Sequence, residues 1–477
     1  MSEPWQRSEG SAPRARHAVL DPADALISTL EPMVPAAIDE LHVAAVLESR
    51  GVTDRSARDE YGHDDVFTLA RAVSQRLPSQ PDYSQPTTAR RLSHKTLWEL
   101  AHGPLYMLPS AVYPAVFTVL GTAGMVHGLV FATALGWVWG MGMSAVAYQL
   151  LGQQKERAAG RMLRLLGMTG LGLALVGATF LSLIGAGGPG MVAFAVAQMG
   201  FALASGVLVF YGKELRLGVA MLPACAVGVV HIVAGYPGAL VVPTLVAGGL
   251  SIVLVLGTAW WTSIRAASQA DSRRSVSGHR MLLDAVPSVC YAALCAAFLL
   301  FTDTRYVIGQ FDLAIAVAPL VLGMGAVEWR AHRFTESAGD LLHRNSCTAD
   351  FARDVWRLLL RELTICLVVL GGLGGVLLAI LRHFGMLTDQ GAMLVGAHVL
   401  LGGAYFVGFV LARYEQYPWL LGILSFVVVT NIAVVSSVTR DLEPVVRPMI
   451  FLLSCSILLV LLLARLYRSA GRVYLYR

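Results

Sequence analysis

The chain has 477 residues, 56% of them hydrophobic and only 14% charged, with a formal net charge of +5. A soluble domain carries about 25% charged residues, so one or two ordinary soluble domains are excluded. The small positive excess gives no case for nucleic acid as a partner, because the basic residues collect at the ends of apolar runs, where membrane topology accounts for them.

The first 95 residues are polar and rich in acids. Pro35 to Ser49 has a helical apolar side formed by Ile38, Leu41, Val43, Ala45, Val46 and Leu47, and Gly51 stops it. Thr53 or Asp54 caps a second helix through Arg58 and Tyr61, which Gly62 ends. Asp64 or Asp65 opens a third, with Val66, Phe67, Leu69 and Val73 as its apolar face. Pro78, Pro81 and Pro86 then predict an extended linker. Residues 1–95 therefore read as a small helical cytoplasmic module that docks a partner; a mostly disordered tail with transient helices is the alternative. No apolar signal core is present here, so the first membrane helix is expected to direct insertion.

From about residue 104 onward, apolar runs follow one another, separated by short polar joints. They predict twelve transmembrane helices near 104–121, 126–150, 165–185, 190–211, 217–235, 239–262, 282–302, 312–328, 358–381, 391–412, 418–438 and 448–465. The runs do not alternate, which excludes a β-barrel, so the expected class is an all-α polytopic membrane protein. An even number of crossings puts both termini on one face. Twenty-four Lys and Arg flank the joints of that face, against Arg305, Arg382, Arg440 and Arg447 on the other. The asymmetry predicts cytoplasmic termini in a cell (inner) membrane and supports the helix count.

The Ser-, Arg- and Asp-rich joint at 265–280 divides the helices into two six-helix bundles, over 96–264 and 281–468, with 469–477 as a tail. Each half has an early helix pair followed by a basic joint, Lys155–Arg164 in the first and Arg330–Arg361 in the second. That is the outline of a two-bundle transporter built from repeats, with the substrate route between the halves.

Six scattered cysteines with no CxxC pair or His/Cys cluster predict neither a metal site nor a disulfide framework, and no cofactor is expected. The outer acids Asp303, Asp312, Asp389, Asp441 and Glu443 have no paired spacing, so an enzyme is not the expectation. Ionisable groups inside spans are expensive and are functional candidates by default. Asp284, a turn inside the seventh helix, is either a coupling group or a partner of Arg280. His231 and His398 read as packing residues or proton carriers; Gln149, Gln198 and Asn431 face a polar cavity or bond across helices.

Glu328-Trp329-Arg330-Ala331-His332-Arg333-Phe334 puts an acid, three possible cations and two aromatics within two turns at the membrane face. Aromatics stack on sugars and Arg forks hold phosphates or carboxylates, so Glu328, Arg330 and Arg333, with Lys155 and Arg157, are candidate substrate-binding residues. An interfacial lipid anchor is the equal alternative. Pro109 and Pro287, in the first helix of each half, are candidate gating kinks; Pro104, Pro114, Pro223 and Pro319 add to the same signal.

The Gly- and Ala-rich stretch from Gly140 ends in Leu151-Gly152 and a charged turn of Lys155, Glu156, Arg157 and Ala158. It resembles the second helix of the multidrug/oligosaccharidyl-lipid/polysaccharide (MOP) exporter superfamily. Glu328 to Arg361 is similar to the acidic-aromatic-basic segment of Pel-type polysaccharide exporters. The resemblance, over about 96–465, implies alternating access between two bundles with no bond made or broken. The first helix lacks the acid of some drug antiporters, and the central arginines expected of lipid-linked precursor flippases are missing. What it implies is a translocator for a polysaccharide or lipid-linked glycan, with a multidrug antiporter of the same superfamily as a further reading. Two other classes stand beside it: a non-transporting membrane subunit that recruits a cytoplasmic synthase through residues 1–95, and a membrane-embedded transferase.

Overall fold

The computed structural model describes residues 40–76, 94–266, 278–303, 311–344, 348–438 and 445–470. Every regular element among them is helical. Two compact units divide the chain, residues 1–91 and 92–477.

In the first unit, three short helices, Glu40–Ser49, Asp54–Asp59 and Val66–Arg76, follow the expected order. Thr53 and Ser56 cap the second reciprocally through backbone and side chain. Asp65 and Thr68 do the same for the third: the Thr68 amide donates to Asp65 Oδ1 at 2.7 Å and the Asp65 amide to Thr68 Oγ1 at 3.1 Å. The buried stripe is Val43, Ala44 and Leu47 against Ala57, Val66, Leu69, Ala70 and Val73. Leu41 and Phe67, expected in the core, are 65% and 52% exposed. So few turns bury only one narrow i, i+3, i+4 stripe, and the small Ala44 and Ala70 let the helices close over it. The three prolines of the expected linker lie outside the described residues.

Among its described residues the second unit has 11 helical stretches long and apolar enough to cross a membrane, one of them the 54-residue stretch Glu99–Gly152. A straight helix of that length would measure roughly 80 Å, far beyond an apolar layer of about 30 Å. It is two crossings. Tyr113 packs on Phe194 and Leu120 lies against Gly190, so the chain runs antiparallel to the Pro189–Phe210 helix. Beyond Gly121 the order inverts: Gly128 faces Met191, Gly136 faces Met199 and Met143 faces Gly206. Gly121 makes the reversal with φ 67° and ψ −178°, a conformation essentially closed to residues with a Cβ. The outer joint expected between the runs 104–121 and 126–150 thus shrinks to one residue. The resulting twelve crossings agree with the apolar pattern.

The first crossing, residues 94–120, is not regular. Its α-helix His94–Met107 passes through a 3-10 turn, Leu108–Val112, where Pro109 enters. The second occupies 122–152. Glu156–Leu183, Pro189–Phe210, Glu214–Val233 and Val241–Ala266 complete the first half. The second half comprises Gly278–Asp303, then a short Phe311–Ile315 turn leading into Ala318–Arg344, then Thr348–His383, Asp389–Arg413, Tyr417–Val438 and Val446–Ala470. The eighth and ninth crossings extend well past their apolar runs, so the basic joint predicted from Arg330 to Arg361 is mostly helix.

Each half has its own core, one drawn from Leu105 to Ala259 and the other from Tyr291 to Leu466. The surface is inverted relative to a soluble protein: Val176, Val242, Val253, Val368 and Val429 are each more than 60% exposed. Such a continuous apolar exterior needs lipid around it. Among the described residues Asp312 is buried in a structural role, its carboxylate accepting from the Thr388 amide at 3.1 Å and from the Thr388 hydroxyl at the start of the tenth crossing. Asp303, Asp441 and Glu443 carry no described side chain.

Candidate functional site

The halves meet chiefly through two helix pairs, the first crossing with the eighth and the second with the seventh. The first helix of each half packs on the second helix of the other, the reciprocity expected of repeats. Both contacts lie toward the face that carries the basic joints. Val146, Leu150 and Ala159 of the first half are buried with Met281 and Ala285 of the second, and the site of a Cβ on Gly142 is 3.0 Å from Val289. At the other pair, a Cβ on Gly103 would overlap the Leu322 carbonyl, and one on Gly325 would come within 2.5 Å of the Glu99 carbonyl. Small residues let helix backbones touch in lipid, where apolar burial gives little drive for association.

A polar cluster lies within this seam. His102 stands between Glu214 of the fifth crossing and Glu328 of the eighth, with Nε2 and Nδ1 each 3.5 Å from a carboxylate oxygen. The His102 and Glu214 side chains are both 12% exposed, and Glu328, at 46%, opens to the basic face. The ring of Tyr106, one turn from His102, lies 6.3 Å from the imidazole and tilted to it. One imidazole thus bridges two halves of the molecule through two acids. Sequence reasoning singled out Glu328 but missed His102 and Glu214, because both fall just outside the apolar runs.

A cavity of about 300 Å³ opens in the first half, away from this seam. Its walls are apolar, including Val116, Phe194, Met221 and Leu245, and the Pro109 turn forms part of its lining. Its polar groups are Tyr113 and Gln198, on the first and fourth crossings. Of the two polar readings open for the amides, Gln198 therefore takes the cavity. Asn431 instead accepts from Ser454 across two helices at 3.1 Å.

The predicted substrate cations are dispersed. Arg330 donates to Glu362 at 2.8 Å, and Arg361 holds the other oxygen of the same carboxylate at 2.8 Å, with Glu362 only 1% exposed. Trp329 lies under both Arg330 and Arg333, at 4.5 and 5.4 Å. Lys155 is 7% exposed at the start of the third crossing, while Arg157 is exposed. Asp284 is exposed on the seventh crossing, and the Arg280 side chain lies outside the described residues. Pro287 is half-buried within that helix. His231 and His398 are fully buried, with the rings of Tyr236 and Phe451 respectively at 5.7 Å.

No family model matches the sequence, and no curated protein does. Solved structures do. The chain is similar to the outward-facing conformation of a multidrug resistance MATE family transporter of the MOP superfamily, with TM-score 0.52 and 13% identity over 80% of this chain and 97% of that one. The inward-facing conformation of such a transporter gives TM-score 0.45 and 12% identity over 80% and 98%. A eukaryotic MATE transporter gives 0.45 and 14% over 80% and 96%. At such identity the likeness fixes the fold: the chain has the two-bundle, MATE-like architecture in a multi-pass membrane protein.

Proposed function

We propose that this protein is a transporter that moves an amphiphilic, largely apolar compound across a cell membrane by alternating access. The observation that carries the reading is the reciprocal seam. Two separately packed halves touch through paired crossings near one face, and the polar bridge at His102 can be made and broken as they rock. No bond is made or broken in the cargo. The basic face is cytoplasmic on this reading, with both termini there.

The apolar walls of the first-half cavity favour a dye-like or lipid-like molecule over a bare polysaccharide, whose hydroxyls would go unmet there. A lipid-linked glycan is the second reading, supported by the exposed Arg333 stacked on Trp329 beside the seam. On that reading residues 1–95 would recruit the cytoplasmic synthase.

Proteoliposomes loaded with a fluorescent lipophilic cation test the first reading. Protein-dependent flux that His102→Ala removes supports it; flux indistinguishable from empty vesicles rejects it. For the second, glycan pools are compared after depletion, where build-up inside with loss outside marks export. Loss from every pool marks a synthase subunit, a role that removal of residues 1–90 would abolish completely.

A further inference from the structure

A second cavity, about 480 Å³, opens on the basic face of the first half, apart from the apolar cavity and bordered on one side by Ala159 of the seam. Its polar lining is Lys213, Arg216, Arg265, Thr262, Tyr211 and Glu156. These come from three different joints: Glu156 after the second crossing, Tyr211, Lys213 and Arg216 around the turn between the fourth and fifth, and Thr262 and Arg265 from the end of the sixth. Topology alone asks only that cations stand on this face; it does not ask them to converge. Here three cations face one recess against a single lining carboxylate. Arg216 is aimed by its donation to Thr262 Oγ1 at 3.4 Å.

Two more observations point to an occupant. The Tyr211 hydroxyl oxygen is buried at this cavity without a hydrogen-bond partner among the described residues, and a buried hydroxyl left so is unfavourable until something supplies an acceptor. On the same helix end as Thr262 and Arg265, Trp260 and Trp261 are 46% and 54% exposed, with Arg164 at 5.9 Å and Arg265 at 4.8 Å from their rings respectively. Half-exposed Trp beside Arg is the composition of the headgroup layer, so the recess opens where lipid phosphates lie.

We infer that this recess binds the phosphate of an anionic phospholipid headgroup. Arg216, Arg265 and Lys213 neutralise it, Tyr211 donates a hydrogen bond to it, and Trp260 and Trp261 border its acyl chains. The inference does not depend on the transport function proposed above.

Native mass spectrometry of the detergent-purified full chain, titrated with phosphatidylglycerol or with phosphatidylcholine, tests this. One phosphatidylglycerol should bind per chain, far ahead of phosphatidylcholine. Affinity should fall about tenfold or more in Arg216→Gln/Arg265→Gln, and by a smaller factor in Tyr211→Phe. Arg353→Gln/Arg357→Gln removes two exposed cations of the other half, each paired with an aspartate, and should bind as the unmodified chain does. Lys213→Gln alone gives a second test if the double variant does not elute as a folded species. Equal binding of both lipids, or unchanged phosphatidylglycerol affinity in the folded Gln variants, would overturn the site. Displacement of the lipid by millimolar inorganic phosphate would overturn the lipid source in favour of a soluble phosphate.

Discussion

Gly103 and Leu322 are pressed together so closely that no Cβ fits between them, because the position it would take is occupied by the Leu322 carbonyl. Gly325 stands in the same relation to the Glu99 and Leu100 carbonyls. These two contacts join the first half to the second near the basic face, and each is between rigid backbones that cannot yield as a side-chain tip can.

Replacing Gly103 with Ala should therefore wedge the seam apart at a cost of about 1–3 kcal/mol, the scale of overpacking. The halves should shift toward opening on the basic face. Labelling of a cysteine placed at Tyr148, near the second crossing's basic end, should speed up in Gly103→Ala. Gly228→Ala, which would strike the Ala111 carbonyl inside the first half, should lower the melting temperature without changing that labelling.

The bridge at His102 predicts a coupling between partners that do not touch. Glu214→Gln and Glu328→Gln each remove one acid from the same imidazole, so their effects on transport should not add. A double-variant cycle in proteoliposomes checks this. Strict additivity would show that His102 does not connect them.

Arg330 is a structural group on the distances given above. Arg330→Gln leaves Glu362 buried with only Arg361, and should destabilise the protein by about 3 kcal/mol, with lower abundance. Arg330→Met/Glu362→Leu should recover much of that loss, read as the melting temperature in detergent. Had Arg330 served cargo instead, the single variant would keep its stability and lose only flux.

Gly249 borders the apolar cavity with open space where its Cβ would stand. Gly249→Leu should fill part of it without disturbing the fold, raising the half-saturating dye concentration by about tenfold, the scale of 1.4 kcal/mol. An unchanged concentration dependence would place the cargo elsewhere.

In the small N-terminal unit, the Thr68 amide and hydroxyl hold the Asp65 carboxyl below its ordinary value of 3.8. A depressed carboxylate contributes stability that is present above about pH 3.8 and is lost as pH falls through the lower folded-state value. The helical circular dichroism of residues 1–91 should fall off on that acid limb. Asp65→Asn keeps a capping oxygen but no titration, and should flatten the contribution of this residue.

Much of this architecture is legible along the chain because lipid makes it so. A span must satisfy its backbone internally and present apolar side chains, so helix number, order and approximate ends follow from runs of Leu, Val, Ala and Gly. The caps at Thr53 and Asp65 are equally local, since both partners lie within one helical turn. The uneven placement of Lys and Arg is legible in the same way, and the proposed orientation rests on it.

Only tertiary structure decides what those helices enclose. Arg330 reads identically whether it faces a cargo or Glu362, 32 residues away. His102 lies in what looks like a polar joint until Glu214 and Glu328 arrive from two other helices. Lys213 and Arg265 look like independent topology signals until the fifth and sixth crossings bring them to one recess. Even the reversal at Gly121 is silent, because a glycine in an apolar run differs from its neighbours only in the conformations open to it. The apolar pattern acts residue by residue against the solvent, whereas a site is a meeting of distant residues, and packing alone chooses which ones meet.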